Sequence, residues 1–359
     1  MKLSDVLDLA DLSVAARLFV SPLAEHPDLP ERLAKMSLLF RGKEQKRDAR
    51  LLAQAARNLA PEDFRIRVLT DWLNRRAAPL WHFKIIHDRL RNEAYARALT
   101  HFVKPGMTVF EIGTGTGILA MLAARAGAAH VYTCERRPEV AQAARDIIAR
   151  NGLAERISVI AKDACAVQLG ADIPERADLF VAEIVDNGLL GENVLALTEL
   201  ARAEFLRPDA ILIPQRISTV GYLVSGRGHR EAYYMDSTMG FDLTPFNRFA
   251  PLVISSGKGG GDVEPLSEAV ELYGFDLHAD AESAGALQVS LTANQSGVAE
   301  GVMRWLRLDF GAGILFENRP PQISSWEPLL HVLPSSRVVS AGDRVDIEVS
   351  HTRDQIFIS

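Results

Sequence analysis

Apolar residues along positions 1 to 78 recur at three- and four-residue spacing, supplied by Leu, Ala and Phe with little β-branching, which is the period of amphipathic helices. The stretch DARLLAQAARNLAPEDFRIRVLTDWLNRR predicts two antiparallel helices, Asp48–Asn58 and Glu62–Arg75, with Pro61 at the first position of the second, where its missing N–H costs nothing. From 79 to 214 the pattern changes. Short β-branched runs (Met107–Ile112, His130–Cys134, Ile157–Ile160, Leu179–Ile184) alternate with the helical stretches Ile118–Arg125 and Pro138–Arg150, the latter stopped by Asn151-Gly152. Strand–helix alternation predicts a doubly wound, mainly parallel sheet, which binds ligands at the carboxyl ends of its strands. From 215 to 359 helical pattern nearly vanishes. Runs at Ser218–Val224, Ala269–Phe275, Ala286–Ala293, Met303–Phe310 and Val345–Val349, parted by Gly, Pro or Asn, predict an antiparallel sandwich or barrel. Ser256–Gly261 reads as a flexible loop tip.

Composition narrows the classes. The 359 residues carry a net charge of −6 with both signs interspersed, which argues against a general nucleic-acid binder. The acidity is uneven: residues 1–80 hold 14 basic and 11 acidic side chains, a balance of +3, leaving −9 for the rest. Two cysteines, Cys134 and Cys165, are too few for a disulfide framework or a cysteine zinc site. The nine histidines show no ligand spacing, so no metal site is expected. Asp5, Asp8 and Asp11 stand where a signal peptide would be uncharged, and no run of 18 apolar residues occurs. A cytoplasmic protein with no membrane partner is the expectation.

The segment TVFEIGTGTGILAMLAARAGAAHVYTCE is the most informative. A strand runs into Gly113-Thr114-Gly115-Thr116-Gly117 and a helix follows at once, so the backbone can approach a ligand closely and helix-start N–H groups face it. Glu135 follows the second strand, 22 positions after Gly113, which suits a carboxylate accepting both hydroxyls of a ribose. Dinucleotide enzymes use a similar turn. Here, however, Glu111 stands two residues before the first glycine, where it would repel a pyrophosphate but tolerate an ammonium and a sulfonium. S-adenosylmethionine fits that description and NAD does not.

Two further segments, WHFKIIHDRLRNEAY (81–95) and AEIVDNGLLGE (182–192), complete a pattern that resembles the protein arginine N-methyltransferases, closest to the branch with tetratricopeptide-like N-terminal helices. The resemblance covers about residues 80–340. It implies an α/β class I methyltransferase domain of doubly wound, Rossmann-like form (79–214), then an antiparallel β-barrel for substrate and dimerisation (215–359), with a helical region (1–78) before them. S-adenosyl-L-methionine is the implied cofactor. By motif position Arg91 takes its methionine carboxylate, with Glu111, Gly113, Gly115, Gly117, Glu135, Asp163 and Ala164 completing the cofactor site. The acidic hairpin supplies Glu183 and Glu192, with Asp186 between them, to grip a substrate guanidinium, a planar cation with pKa above about 12. Trp326, in Ser324-Ser325-Trp326-Glu327-Pro328, is the implied pocket tryptophan.

Three positions depart from the family pattern. Ser325 stands where a histidine is common, which puts in doubt any proton relay through that side chain. Cys165 occupies the usual place of a glutamate beside the adenine, so Asp163 is the substitute, and Ile85 replaces a methionine or phenylalanine. The implied product is monomethyl- or symmetric dimethylarginine in a protein or peptide, with Ile85 and Asp186 pointing away from the asymmetric class. Residues 239–254 (MGFDLTPFNRFAPLVI) resemble the start of an arm that embraces a second subunit, so a homodimer is implied. Two other readings stay open: methylation of a guanidine-bearing small molecule, and a scaffold that binds the cofactor without turnover.

Overall fold

The structure is a computed structural model that describes residues 2–42, 45–225, 232–257 and 263–359; of the tip expected at Ser256–Gly261, positions 258–261 lie outside the described residues. The chain divides into two compact units, Met1–His82 and Phe83–Ser359.

The first unit is helical: α1 (Val14–Val20), α2 (Leu29–Gly42), α3 (Lys46–Leu59), α4 (Phe64–Leu69) and α5 (Asp71–Ala77). Ala49, Leu52, Ala53 and Ala56 of α3 form one buried stripe at helical spacing, and their small side chains pack with Leu29, Leu33, Ala34 and Phe40 of α2 in one core. The expected helix Glu62–Arg75 is two helices, and Pro61 lies in the preceding turn rather than at a helix start. Asp63 provides the start, its carboxylate accepting the N–H groups of Arg65 and Ile66 at 2.8 and 3.4 Å. The break falls at Thr70. Its hydroxyl donates to the Ile66 carbonyl at 2.6 Å and accepts from Arg57 Nε at 2.7 Å, a local side-chain bond that competes with helix continuation.

Helix α6 (Trp81–His87), within which the division falls, and helix α7 (Arg89–Phe102) come ahead of a five-stranded sheet in the second unit. Its strands are β1 (Thr108–Ile112), β2 (His130–Cys134), β3 (Ile157–Ile160), β4 (Ala177–Ala182) and β5 (Leu206–Ile213), in the order β3-β2-β1-β4-β5. Every neighbouring pair is parallel. Helix α8 (Ile118–Ala126) links β1 to β2, and helix α9 (Pro138–Arg150) links β2 to β3. The chain builds outward from β1 to β3 and then returns to add β4 on the other side of β1. This reversal opens a crevice at the carboxyl ends of β1 and β4. The strand expected over Leu179–Ile184 spans Ala177–Ala182, so Glu183 stands just past its end, at that crevice.

Beyond β5 the sheets are antiparallel. One is built on the long strands Arg216–Ser225, Gly297–Asp309 and Leu329–Val339, with shorter strands at its margins; the other is Ala284–Thr292, Arg344–Thr352 and Ile356–Ile358. Leu272, Val289, Leu291, Val302, Leu306, Val345 and Ile347 from these sheets share one continuous core with Val109, Phe110, Leu179 and Phe180 of the parallel sheet. The barrel and the doubly wound sheet are therefore welded by apolar packing, which fixes loops of the barrel over the crevice.

Within the first unit, Asp48 is buried and accepts both the Ser13 N–H (2.9 Å) and the Ser13 hydroxyl (2.6 Å), tying α3 to the cap of α1. Asp48→Ala is expected to destabilise this unit by about 2 kcal/mol through two lost charged hydrogen bonds. Hydrogen exchange at the amides of α1 and α3 measures it, and wild-type protection there would contradict the assignment.

Candidate functional site

The crevice gathers side chains from four elements. Helix α7 begins at Asp88, whose Oδ1 accepts the Arg91 N–H at 3.1 Å and so caps the helix. One turn inward, Arg91 is buried and its Nη2 donates to Glu183 Oε2 at 2.5 Å, with the two side chains only 3% and 8% exposed. Arg91 Nη1 donates to Asn92 Oδ1 at 2.7 Å. The guanidinium also lies over the rings of Tyr95 and Trp326, at 5.5 and 6.0 Å from their centroids. Tyr95 donates its hydroxyl to the Ala182 carbonyl at 3.0 Å, which fixes the end of β4 next to Glu183.

The turn after β1 takes the backbone through the left-handed region at Gly113 (φ +90°) and Gly117 (φ +79°). A Cβ on Gly113 would meet Ile184 at 3.2 Å, and one on Gly117 would meet Ile148 at 3.1 Å, so both conformation and space ask for glycine. Glu135 ends β2 and turns back on this loop. Its Oε2 accepts the Gly115 N–H at 3.2 Å and its Oε1 the Arg137 N–H at 2.9 Å, leaving each oxygen a second lone pair. Asp163 is exposed and its carboxylate accepts the Cys165 N–H at 3.1 Å, capping a short turn that contains the buried Ala164.

Two polar atoms of this pocket are buried without a hydrogen-bond partner: Arg91 Nε, a donor, and Glu111 Oε2, an acceptor. Leaving such groups unmet is costly, so their coincidence in one pocket points to a ligand that supplies an acceptor and a donor. A carboxylate and an ammonium on one carbon do so, and the methionine end of S-adenosylmethionine carries both. Glu111 is pushed up to about 8, first by burial, with Glu135 and Glu183 adding to the rise against Thr133 and Arg91. Glu183 is pushed up to about 7: burial outweighs the Arg91 guanidinium, and the charges of Glu192 and Asp88 act in the same direction as burial.

The acidic loop follows β4. Glu192 is solvent-accessible; its carboxyl is raised by desolvation and then by Asp186, with Arg136 opposing. Asp186 turns inward to its own loop. Its Oδ1 accepts the Gly191 N–H at 3.0 Å, and a Cβ on Gly191 would lie 2.3 Å from Oδ2. Trp326 is 3% exposed and donates its indole N–H to the Val185 carbonyl at 2.9 Å, so it forms the wall behind this loop. Glu327 N–H donates to Asn187 Oδ1 at 3.0 Å. Ser325, which departs from the family pattern, keeps a link to helix α7: Asp88 Oδ2 accepts from Ser324 Oγ (2.6 Å), Ser325 N–H (2.7 Å) and Ser325 Oγ (2.9 Å).

Sequence reasoning missed Asp88 as the joint of this arrangement, and missed a buried pair beneath the loop. Arg304 Nε donates to His331 Nε2 at 2.7 Å, and Arg304 Nη1 reaches the Gly188 carbonyl and the Thr219 hydroxyl, both at 3.4 Å. The one signal available was a charge inside the apolar strand GVMRWLRLDF.

A methyltransferase of the doubly wound class accounts for both the fold and the pocket. A family model for the ribosomal protein L11 methyltransferase (PrmA) matches residues 95–213. An arginine N(omega)-methyltransferase of Streptomyces achromogenes subsp. streptozoticus is 36% identical over 288 residues, covering 77% of each chain. Protein arginine N-methyltransferase 7 of Drosophila yakuba is 32% identical over 285 residues, and there the chain spans only 41% of the relative's length. Among solved structures, the Trypanosoma brucei PRMT1 enzyme–prozyme heterotetrameric complex with AdoHcy superposes with a TM-score of 0.67 at 22% identity, over 75% of this chain and 86% of that one. Arabidopsis thaliana protein arginine methyltransferase 10 gives 0.65 at 20% identity, over 76% and 88%. The chain belongs to the arginine N-methyltransferase family, enzymes whose methyl donor is S-adenosylmethionine.

Because the Glu111 carboxyl holds its proton to about pH 8, an ammonium placed beside it drives ionisation. Binding of S-adenosylhomocysteine at pH 7 is therefore expected to release a proton, seen as a calorimetric heat that depends on the buffer's ionisation enthalpy. Glu111→Gln should abolish the release and weaken binding about tenfold or more. The sign for stability follows: the folded chain holds this proton between the ordinary value of 4.5 and about 8, so its contribution falls as pH rises through that window, and the same variant should flatten the fall. A buffer-independent heat for the wild type would contradict the assignment.

Proposed function

We propose that the pocket transfers a methyl group to a guanidinium nitrogen of arginine in a protein or peptide, giving monomethyl- or symmetric dimethylarginine. The observation that supports this reading best is a charge imbalance. One guanidinium, Arg91, faces Glu183 directly, while Glu192 adds a second carboxylate whose charge Glu183 senses. A pocket with that excess of negative groups favours a second cation, and a planar guanidinium suits paired carboxylates.

In this reading Glu183 and Glu192 hold the acceptor's N–H groups and draw positive charge onto the nitrogens that do not attack. Asp186 folds their loop, and Trp326 backs it. Arg91 Nε and Glu111 Oε2 take the carboxylate and ammonium of S-adenosylmethionine, the glycines 113, 115 and 117 admit its approach, Glu135 takes the ribose hydroxyls, and Asp163 with Ala164 borders the adenine. The bound cofactor supplies an already activated methyl on sulfonium, so what the protein adds is chiefly alignment of the attacking nitrogen. The exposed aromatics Phe241, Phe246 and Phe249, with Met239 and Leu252, support a homodimer through this arm. The net charge of −6 supports an enzyme without direct nucleic-acid partners, and the unpaired Cys134 and Cys165 are consistent with the cytoplasm.

A second reading, methylation of free arginine or another small guanidine, draws support from the Streptomyces relative, whose name specifies arginine without a protein. Radiolabelled S-adenosylmethionine offered with arginine peptides, lysate protein and free arginine separates the two. Label recovered as methylarginine in polypeptide is the expected result. Label in free arginine alone selects the second reading, and cofactor binding with no label in any acceptor would make the chain a scaffold. Glu183→Gln should lower kcat/KM about a hundredfold or more. For the wild type, kcat/KM should rise with pH through about 7 as Glu183 ionises, and a flat profile from pH 6 to 8 would overturn its role as the ionised grip.

A further inference from the structure

Arg304 is a cation in the middle of the apolar strand Gly297–Asp309, only 3% exposed, between the buried Met303 and Trp305. Burial lowers its pKa to about 10, so it stays charged at neutral pH. A buried charge is expensive, and an apolar residue of similar volume would serve a barrel core at least as well. The surroundings say where that charge is directed. Its Nε is seated on His331 Nε2, which must therefore be the unprotonated nitrogen of that ring, and the imidazole is driven down to about 3 by burial and by Arg304 itself. The other arm of the fork leaves the barrel: Nη1 reaches the Gly188 carbonyl in the acidic loop, and Asp186 is the charge that favours the cation there.

We propose that Arg304 is a positioning residue for the methyl acceptor, a barrel-borne cation that pins the floor of the acidic loop at Gly188 and thereby sets where Glu183 and Glu192 stand. The proposal rests on the acceptor site assigned above. The loop has a second anchor on its other side, where Trp326 holds the Val185 carbonyl. Just past these two points the chain turns through Leu189 (φ +80°) and Asn193 (φ +61°), non-glycine residues in a region that costs energy unless surrounding contacts enforce it. Arg304 supplies such a contact within one residue of Leu189. Arginine suits the task because its rigid fork spans His331 and Gly188 at once, which a lysine ammonium does less well.

The test uses Arg304→Gln and Arg304→Lys in the full chain, with three readouts. Acceptor KM and kcat come from label transfer, the S-adenosylhomocysteine Kd from calorimetry, and loop order from hydrogen exchange over residues 183–193. For Arg304→Gln the expected result is an acceptor KM raised about tenfold or more, a cofactor Kd within twofold of wild type, and amide exchange in the loop about tenfold faster, while exchange in Arg216–Ser225 is unchanged. Arg304→Lys should recover part of the loop protection and of KM. If Arg304→Gln lowers thermal stability but leaves loop exchange and acceptor KM at wild-type values, Arg304 serves the barrel alone and the proposal is overturned. Loop exchange unchanged in Arg304→Lys as well as in Arg304→Gln would overturn it again. The exchange arm needs no turnover, so a wild type that methylates no arginine acceptor would refute the functional reading without being mistaken for failure of this one.

Discussion

The ion pair between Arg91 and Glu183 is the interaction on which the pocket depends. Both partners are almost wholly removed from water, and a pair so placed stabilises little unless its remaining hydrogen-bonding positions are met. Here they are met unevenly. Arg91 Nη1 has Asn92, the guanidinium faces two aromatic rings, but Nε has nothing, and Glu111 Oε2 close by is equally unsatisfied. The free protein thus carries an unmet donor and an unmet acceptor at the one place in the sheet where strand order reverses. A zwitterionic group that meets both atoms would remove the cost of leaving them unmet. Burial is also what pushes the carboxyls of Glu183 and Glu111 upward although one of them has an arginine in contact.

The acidic loop is braced both from within and from the barrel. Asp186 closes it internally on Gly191, at a distance that leaves no room for a side chain there, but its outer supports come from the barrel. Trp326 holds Val185, Glu327 holds Asn187 and Arg304 reaches Gly188, three contacts on successive parts of one turn. The barrel in this unit therefore acts as a mould for the loop. Substitution of serine for the family's usual histidine at 325 removes an imidazole but not the connection, since Asp88 still receives three hydrogen bonds from the Ser324-Ser325 pair.

What could be read from the sequence was what is local in it. The strand, glycine turn and helix around Gly113–Gly117 lie within one short segment, and Glu135 follows at the next strand end, so their spacing alone implied a ligand. The parallel order of strands followed from alternation of period. Glu183 and Glu192 were legible only through resemblance, and nothing in that pattern told that Asp186 would turn inward to Gly191. The helix break at Thr70 was hidden because it comes from one hydroxyl competing for the Ile66 carbonyl, not from a glycine or proline. Arg304 and His331 were hidden for another reason: they meet across neighbouring strands, and pairing between strands leaves no period along the chain.

Asp88 is 236 residues from Ser324 and 237 from Ser325 along the chain. Contacts of that span are slow to close, because the entropy of a long loop must be overcome before the contact returns anything. The helices and the glycine turn need only neighbouring residues, whereas the joint between helix α7 and the tryptophan loop has to wait until the antiparallel strands are in register. The order of assembly is then set by topology: the glycine turn and its neighbouring helices come early, and the tryptophan loop is late. Intermediates caught between these stages would hold a sheet that looks native around a pocket that is not yet closed.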